Sequence, residues 1–165
     1  MELTAQTRKV VGVRSLRSVG PLAFHSTPRD LWNRHGGYAY ALACALLGSE
    51  AAAADAVAAS MADLNGSGKM SDEEARSLLA GSIYRHASTQ PSELGDTDQL
   101  PQPMVWLSRL ARLQRASLAL CVYGGLTHRE AASLLDVSPA TVAELITAGL
   151  KELGRLAAAD AATCA

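Results

Sequence analysis

The chain has 165 residues, enough for one domain or for two small helical ones. Hydrophobic residues are 48% of it, mostly alanine and leucine with few β-branched or aromatic side chains, which favours helices over strands. The formal net charge of −1 excludes a chain that adheres to nucleic acid by bulk charge, and no apolar run approaches the roughly 18 residues that span a bilayer. Cys44, Cys121 and Cys164 are odd in number, far apart and without CxxC spacing, so they predict reduced thiols in the cytoplasm rather than a disulfide framework or zinc site.

Residues 1–28 carry Arg8, Lys9, Arg14 and Arg17 against Glu2 alone, and are interrupted by Gly12, Gly20, Pro21 and Pro28. They predict a basic arm with a short extended piece at Val10–Val13, either a solvated leader or a segment that touches nucleic acid. No apolar h-region follows the basic residues, so no signal peptide is expected. Leu31, Trp32, His35, Tyr38, Ala39, Leu42 and Leu46 predict a helix over Asp30–Leu47, weakened or kinked at Gly36-Gly37 and ended by Gly48-Ser49. A second helix over Glu50–Leu64 is alanine-rich, with Val57, Met61 and Leu64 on one face. Ser71 with Glu74 three residues on forms a capping box for a third helix, whose stripe is Ala75, Leu78, Leu79, Ile83 and Tyr84. Residues 88–103, "STQPSELGDTDQLPQP", are rich in proline and turn formers and predict a linker between two helical halves. A helix over Val105–Tyr123 follows, with Trp106, Leu107, Leu110, Leu113, Leu118, Cys121 and Val122 as its apolar face, and Gly124-Gly125 stops it.

The most informative stretch is "GLTHREAASLLDVSPATVAELITAGLKELGRL". Thr127 and Glu130 form a capping box, and Ala131, Leu134 and Leu135 give a two-turn helix an inward face. Asp136-Val137-Ser138 interrupts it. Ser138 then caps a second helix whose first residue, Pro139, needs no N–H partner. Val142, Leu145, Ile146, Leu150 and Leu153 carry this helix onward. Two helices joined by three or four residues, with Val137 plugging the turn, predict a helix-turn-helix. Such a unit offers the N-terminal face of its second helix to the major groove, where Ser138, Thr141 and Glu144 can reach base edges, a glutamate accepting from a cytosine N4. Over residues 139–156 the charges Glu144, Lys151, Glu152 and Arg155 sum to zero, so a hairpin that only packs or binds protein stays open as an alternative. Arg109, Arg112, Arg115 and Arg129 either hold phosphates from neighbouring elements or form a solvated face.

"RLARLQRASLALCVYGGLTHREAASLLDVSPATVAELITAGLKEL" resembles region 4 of sigma-70 family sigma factors, specifically the small extracytoplasmic-function (ECF) type, through Gln114-Arg115, Gly125-Leu126, Ala131-Ala132, Val137-Ser138 and Thr141-Val142. "DLWNRHGGYAYALACALLGSEAAAADAVAASMADL" is similar in outline to region 2, including an Asp-x-Val motif at Asp55 and Val57. The similarity covers about residues 29–156. It implies an all-α protein of two small helical domains: a basic arm (1–28), a region 2-like domain (29–87), a linker (88–103), a region 4-like helix-turn-helix domain (104–158) and a tail (159–165). It implies binding to core RNA polymerase through Asp55, Val57, Ala58 and Met61. It also implies reading of the promoter −35 element through Arg129, Ser138, Ala140, Thr141, Ala143, Glu144, Thr147 and Lys151. An anti-sigma factor is a further partner, and no cofactor, membrane or small-molecule substrate is expected. The chain departs from the family where Ala58 and Ala59 replace Gln and an acidic residue, and where Ala143, Leu145, Ala148 and Leu150 stand at places usually Lys or Arg. A sigma mimic that acts by binding protein alone is therefore the alternative.

A second alternative lies in "DLNGSGKMSDEE". Asp63, Asn65, Ser67, Lys69 (through its backbone), Ser71 and Glu74 occupy the ligand positions of an EF-hand loop, with Gly68 at its sixth place. Only Asp63 and Glu74 would bring charge, and no second loop pairs with it, so the stretch reads as a connection rather than a favoured metal site. His25, His35, His86 and His128 are scattered without HxxE spacing, and no catalytic residues or P-loop emerge, so the chain is not expected to be an enzyme.

Overall fold

The computed structural model describes residues 24–25, 27–65, 67–90 and 100–163. The basic arm lies almost wholly outside the described residues, as do Val10–Val13, Gly66, most of the linker (91–99) and Cys164. The elements are β1 (Phe24–His25), α1 (Pro28–Leu47), α2 (Glu50–Asp63), β2 (Lys69–Met70), α3 (Asp72–Thr89), α4 (Gln102–Ser108), α5 (Arg112–Leu118), which continues as a π-helical segment (Ala119–Tyr123), α6 (His128–Leu135) and α7 (Pro139–Thr163). The fold is all-α apart from β1 and β2, which pair antiparallel with Phe24 opposite Met70 and His25 opposite Lys69.

Local capping explains the starts of α1, α3 and α6. Thr27 with Asp30, Ser71 with Glu74 and Thr127 with Glu130 each form a reciprocal capping box, in which hydroxyl and carboxylate satisfy orphan backbone N–H groups. Gly48 closes α1 in the left-handed conformation (φ 65°), where glycine carries no Cβ penalty. α1 is one continuous helix through Gly36-Gly37. A Cβ on Gly36 would come within 2.9 Å of the Trp32 indole, so the glycine makes room for the tryptophan.

The single helix expected over Val105–Tyr123 is instead broken between α4 and α5. No proline or glycine marks the break. Arg109 and Leu110 close α4 with tight bonds to the carbonyls of Trp106 and Leu107, and Arg115 donates to the Ser108 carbonyl across the break (3.3 Å). Leu107 and Leu110, on either side of the break, are both buried in the core. At the other end, the tail expected over 159–165 is helical through Thr163. Asp160 holds it down by accepting from Trp106 Nε1 (2.7 Å) and Gln102 Nε2 (2.9 Å), with Arg109 at 3.8 Å.

One buried cluster runs through both halves of the chain, from Leu31, Leu42 and Val57 through Leu79 and Ile83 to Leu120, Leu135 and Val142. Beyond α2 and α3, α1 also packs on α4, α5 and the π-helical segment. From α3, Gly81 faces Leu134, Arg76 approaches Gly125, and Ser77 hydrogen-bonds Glu130. Gly125 has φ 63°, so the turn before α6 both needs glycine's freedom and leaves room for the Arg76 guanidinium. Not every apolar residue of the expected stripes is inward: Leu78, Leu113, Val122 and Leu150 are exposed. On α7 the buried seam is narrow, Val142, Gly149 and Leu156, because a Cβ at Gly149 would meet Leu118 at 2.6 Å and the two helices approach closely there.

The segment that spells an EF-hand loop is used otherwise. The Asp63 carboxylate accepts from Ser82 Oγ (2.8 Å) and lies 2.9 Å from His86 Nε2; these contacts, His86 first, hold it below the usual carboxylate pKa. Lys69 sits in β2, and the Glu74 carboxylate folds back on the Ser71 backbone N–H (2.8 Å) and hydroxyl (2.9 Å). Asn65, Ser67 and Ser71 connect α2 to α3, and among the described residues no group of three or more His, Cys, Asp or Glu side chains gathers to hold a metal ion.

Candidate nucleic-acid interface

The Thr127 hydroxyl accepts from the Glu130 N–H (3.3 Å), and the Glu130 carboxylate accepts from the Thr127 N–H (2.8 Å), which fixes where α6 begins. These bonds also hold the Glu130 carboxyl below its ordinary pKa. The first helix ends at Asp136, the one non-glycine residue at positive φ among the described residues (φ 55°, ψ 47°), a conformation that aspartate tolerates. Val137 is packed against the core. Ser138 Oγ then accepts from the Thr141 N–H at 3.0 Å, and the Ser138 carbonyl from Val142 at 3.1 Å, opening α7 with Pro139 in its first turn. The two helices bend by 98°, inside the range of helix-turn-helix units, and Ala131, Ala132, Leu135 and Val142 bury their shared face.

This construction turns one face of α7 outward. Ser138, Ala140, Glu144, Thr147 and Lys151 are exposed, Thr141 and Ala143 are half-exposed, and Arg129 is exposed on the first turn of α6. The hydroxyls on this face are tied within the helix: Ser138 Oγ and Thr141 Oγ1 lie 2.8 Å apart, and Thr147 Oγ1 donates to the Ala143 carbonyl (2.8 Å). Among the described residues, Glu144 makes no hydrogen bond or ion pair. Of the neighbouring arginines, Arg109 faces Asp160, Arg115 is turned onto Ser108, and Arg112 is exposed. Burial lowers the Arg115 pKa, with the Arg112 charge second, in keeping with a structural role.

The residues expected to face a polymerase divide by burial. Asp55 and Ala58 are exposed, whereas Val57 (1% exposed) and Met61 (7%) belong to the core and reach the surface only at the floor of an apolar depression of about 320 Å³ shared with Trp32, Tyr40 and Ala54. A second apolar groove of about 380 Å³, which the sequence did not suggest, runs between α4, the π-helical segment and α7. Trp106, Leu107, Leu118 and Leu153 help to line it, and Val122 (64% exposed) and Leu150 (55%) stand at its edge. Spacing placed Val122 on the apolar face of the helix over Val105–Tyr123 and Leu150 on that of the second helix of the helix-turn-helix.

The fold and caps of the C-terminal half define a helix-turn-helix domain. Residues 106–153, about three-tenths of the chain, match the family model described as Sigma-70, region 4. No curated protein and no solved structure matches the chain. Among the described residues, no single helix is long and apolar enough to cross a membrane.

Proposed function

We propose that the protein is an ECF-type, sigma-like transcription factor that binds core RNA polymerase in the cytoplasm and reads a promoter −35 element with α7. The observation that carries this reading is the matched region 4 segment folded as a helix-turn-helix with an outward α7 face. Helices α1–α3 would serve as a region 2-like unit, with exposed Asp55 and Ala58 beside the Trp32 depression as the polymerase-facing surface. The test is co-elution of the full chain with core RNA polymerase, beside a folded Asp55→Arg/Ala58→Arg variant. A variant truncated before α4 is unsuitable, because it would cut the shared core. Co-elution that the double variant loses supports the reading and its docking face. A folded chain that does not co-elute overturns it.

The exposed groove edged by Val122 and Leu150 favours a second reading, a sigma mimic that acts by binding protein such as an anti-sigma factor. It predicts function without DNA contact, so Arg129→Ala and Glu144→Ala would leave activity unchanged.

A further inference from the structure

The chemistry of the α7 face restricts which bases it can read. Bidentate recognition of guanine needs Arg or Lys, and bidentate recognition of adenine needs Asn or Gln. From Glu130 to Leu150 the sequence contains none of these four residues. On the first three turns of α7 the polar side chains are Thr141, Glu144 and Thr147. Thr141 is bonded to Ser138, and Thr147 to its own helix. What remains free to meet a base edge is one carboxylate, Glu144, among small apolar groups. Ala140, Ala143, Glu144 and Thr147 follow one another at i, i+3, i+4 and i+7 and therefore share one face. A carboxylate accepts from the cytosine N4 amino group, and alanine or a threonine methyl packs on the thymine methyl. Arg129 and Lys151, at either edge of this surface, are the cations placed for phosphate.

We infer that α7 reads pyrimidines: a cytosine amino group taken by Glu144, flanked by thymine methyls that pack on Ala140, Ala143 and Thr147. The inference rests on the −35 reading proposed above and names the bases that this reading would select. Because phosphate contacts are few, selectivity comes from this small surface and affinity stays low without polymerase.

The test is selection from random duplexes by the full chain, alone and assembled with core RNA polymerase, followed by competition measurements on the selected site. The expected site holds a C·G pair flanked by T·A pairs, with roughly tenfold preference for the C·G pair, as one good polar contact provides. Glu144→Ala, an exposed position whose variant is checked for native helicity, should reduce that preference to about twofold or less and leave the T·A preferences intact. Removing a carboxylate near phosphates raises overall affinity, so the preference ratio is the readout. Replacing thymine by uracil should weaken binding about two- to fourfold per methyl lost, and 7-deazaguanine opposite the cytosine should change nothing. A selected site whose preferences survive Glu144→Ala, or that loses affinity with 7-deazaguanine, overturns the pyrimidine inference and leaves −35 reading standing. No selection in either form overturns the −35 reading itself, and the inference with it.

Discussion

Leu120 is fully buried (0% exposed) in the π-helical segment that packs on α1, so its truncation tests whether the two halves share one core. Leu120→Ala removes three carbons worth about 0.8 kcal/mol each in transfer free energy and leaves a cavity in a site closed by helices from both halves. The combined loss for such substitutions is about 2–5 kcal/mol, a large part of the roughly 5–15 kcal/mol that stabilises a domain. It should lower Tm by about 5–20 °C for a chain of this size. Trp32 lies in α1 and Trp106 in α4, so each tryptophan reports on one half. Thermal and urea unfolding would be followed by fluorescence in Trp32→Phe and Trp106→Phe backgrounds, beside far-UV circular dichroism. All probes should shift together in one transition when Leu120 is truncated. A Trp32 transition that stays in place while the Trp106 transition falls would refute the shared core.

The buried His35 imidazole carries a second prediction. Burial first, then the Arg76 and Arg34 charges, lower its pKa against the pull of Asp72, 3.6 Å from Nε2. A histidine whose folded pKa lies below its unfolded value of about 6.5 contributes stability above that pH and loses it as pH falls toward the folded pKa. His35→Gln should therefore flatten the fall of urea stability as pH drops below about 6.5; an unchanged slope would mean His35 does not couple protons to folding. Asp160→Ala should cost about 1–3 kcal/mol, because Trp106 Nε1 loses its acceptor, and Trp106 emission should shift to the red as the end of α7 frays. In the complex with DNA proposed above, exposed Arg112, Arg129 and Lys151 allow about three phosphate contacts, so a log–log plot of affinity against salt should have a slope near −3. Arg129→Ala should reduce that slope by about one; a slope that does not change removes Arg129 from the phosphate contacts.

The starts of α3, α6 and α7 were legible in the sequence because capping joins residues close together in the chain. Ser71 with Glu74, Thr127 with Glu130, and Ser138 before Pro139 mark where α3, α6 and α7 begin. The helix-turn-helix followed from the same local rules, and the resemblance to sigma region 4 rested on residues inside it together with Gln114-Arg115 and Gly125-Leu126 before it. The tertiary structure alone decided what depends on neighbours distant in the chain. The α4–α5 break has no proline or glycine to announce it, and it sets Arg115 across from Ser108. Asp63 could have faced an ion, but Ser82 and His86 stand on the next helix and take its carboxylate. Leu78, Leu113, Val122 and Leu150 fit helical stripes by spacing, yet a stripe is buried only where another helix covers it. Periodicity shows that a face is apolar, and only the packing of the whole chain determines what covers it.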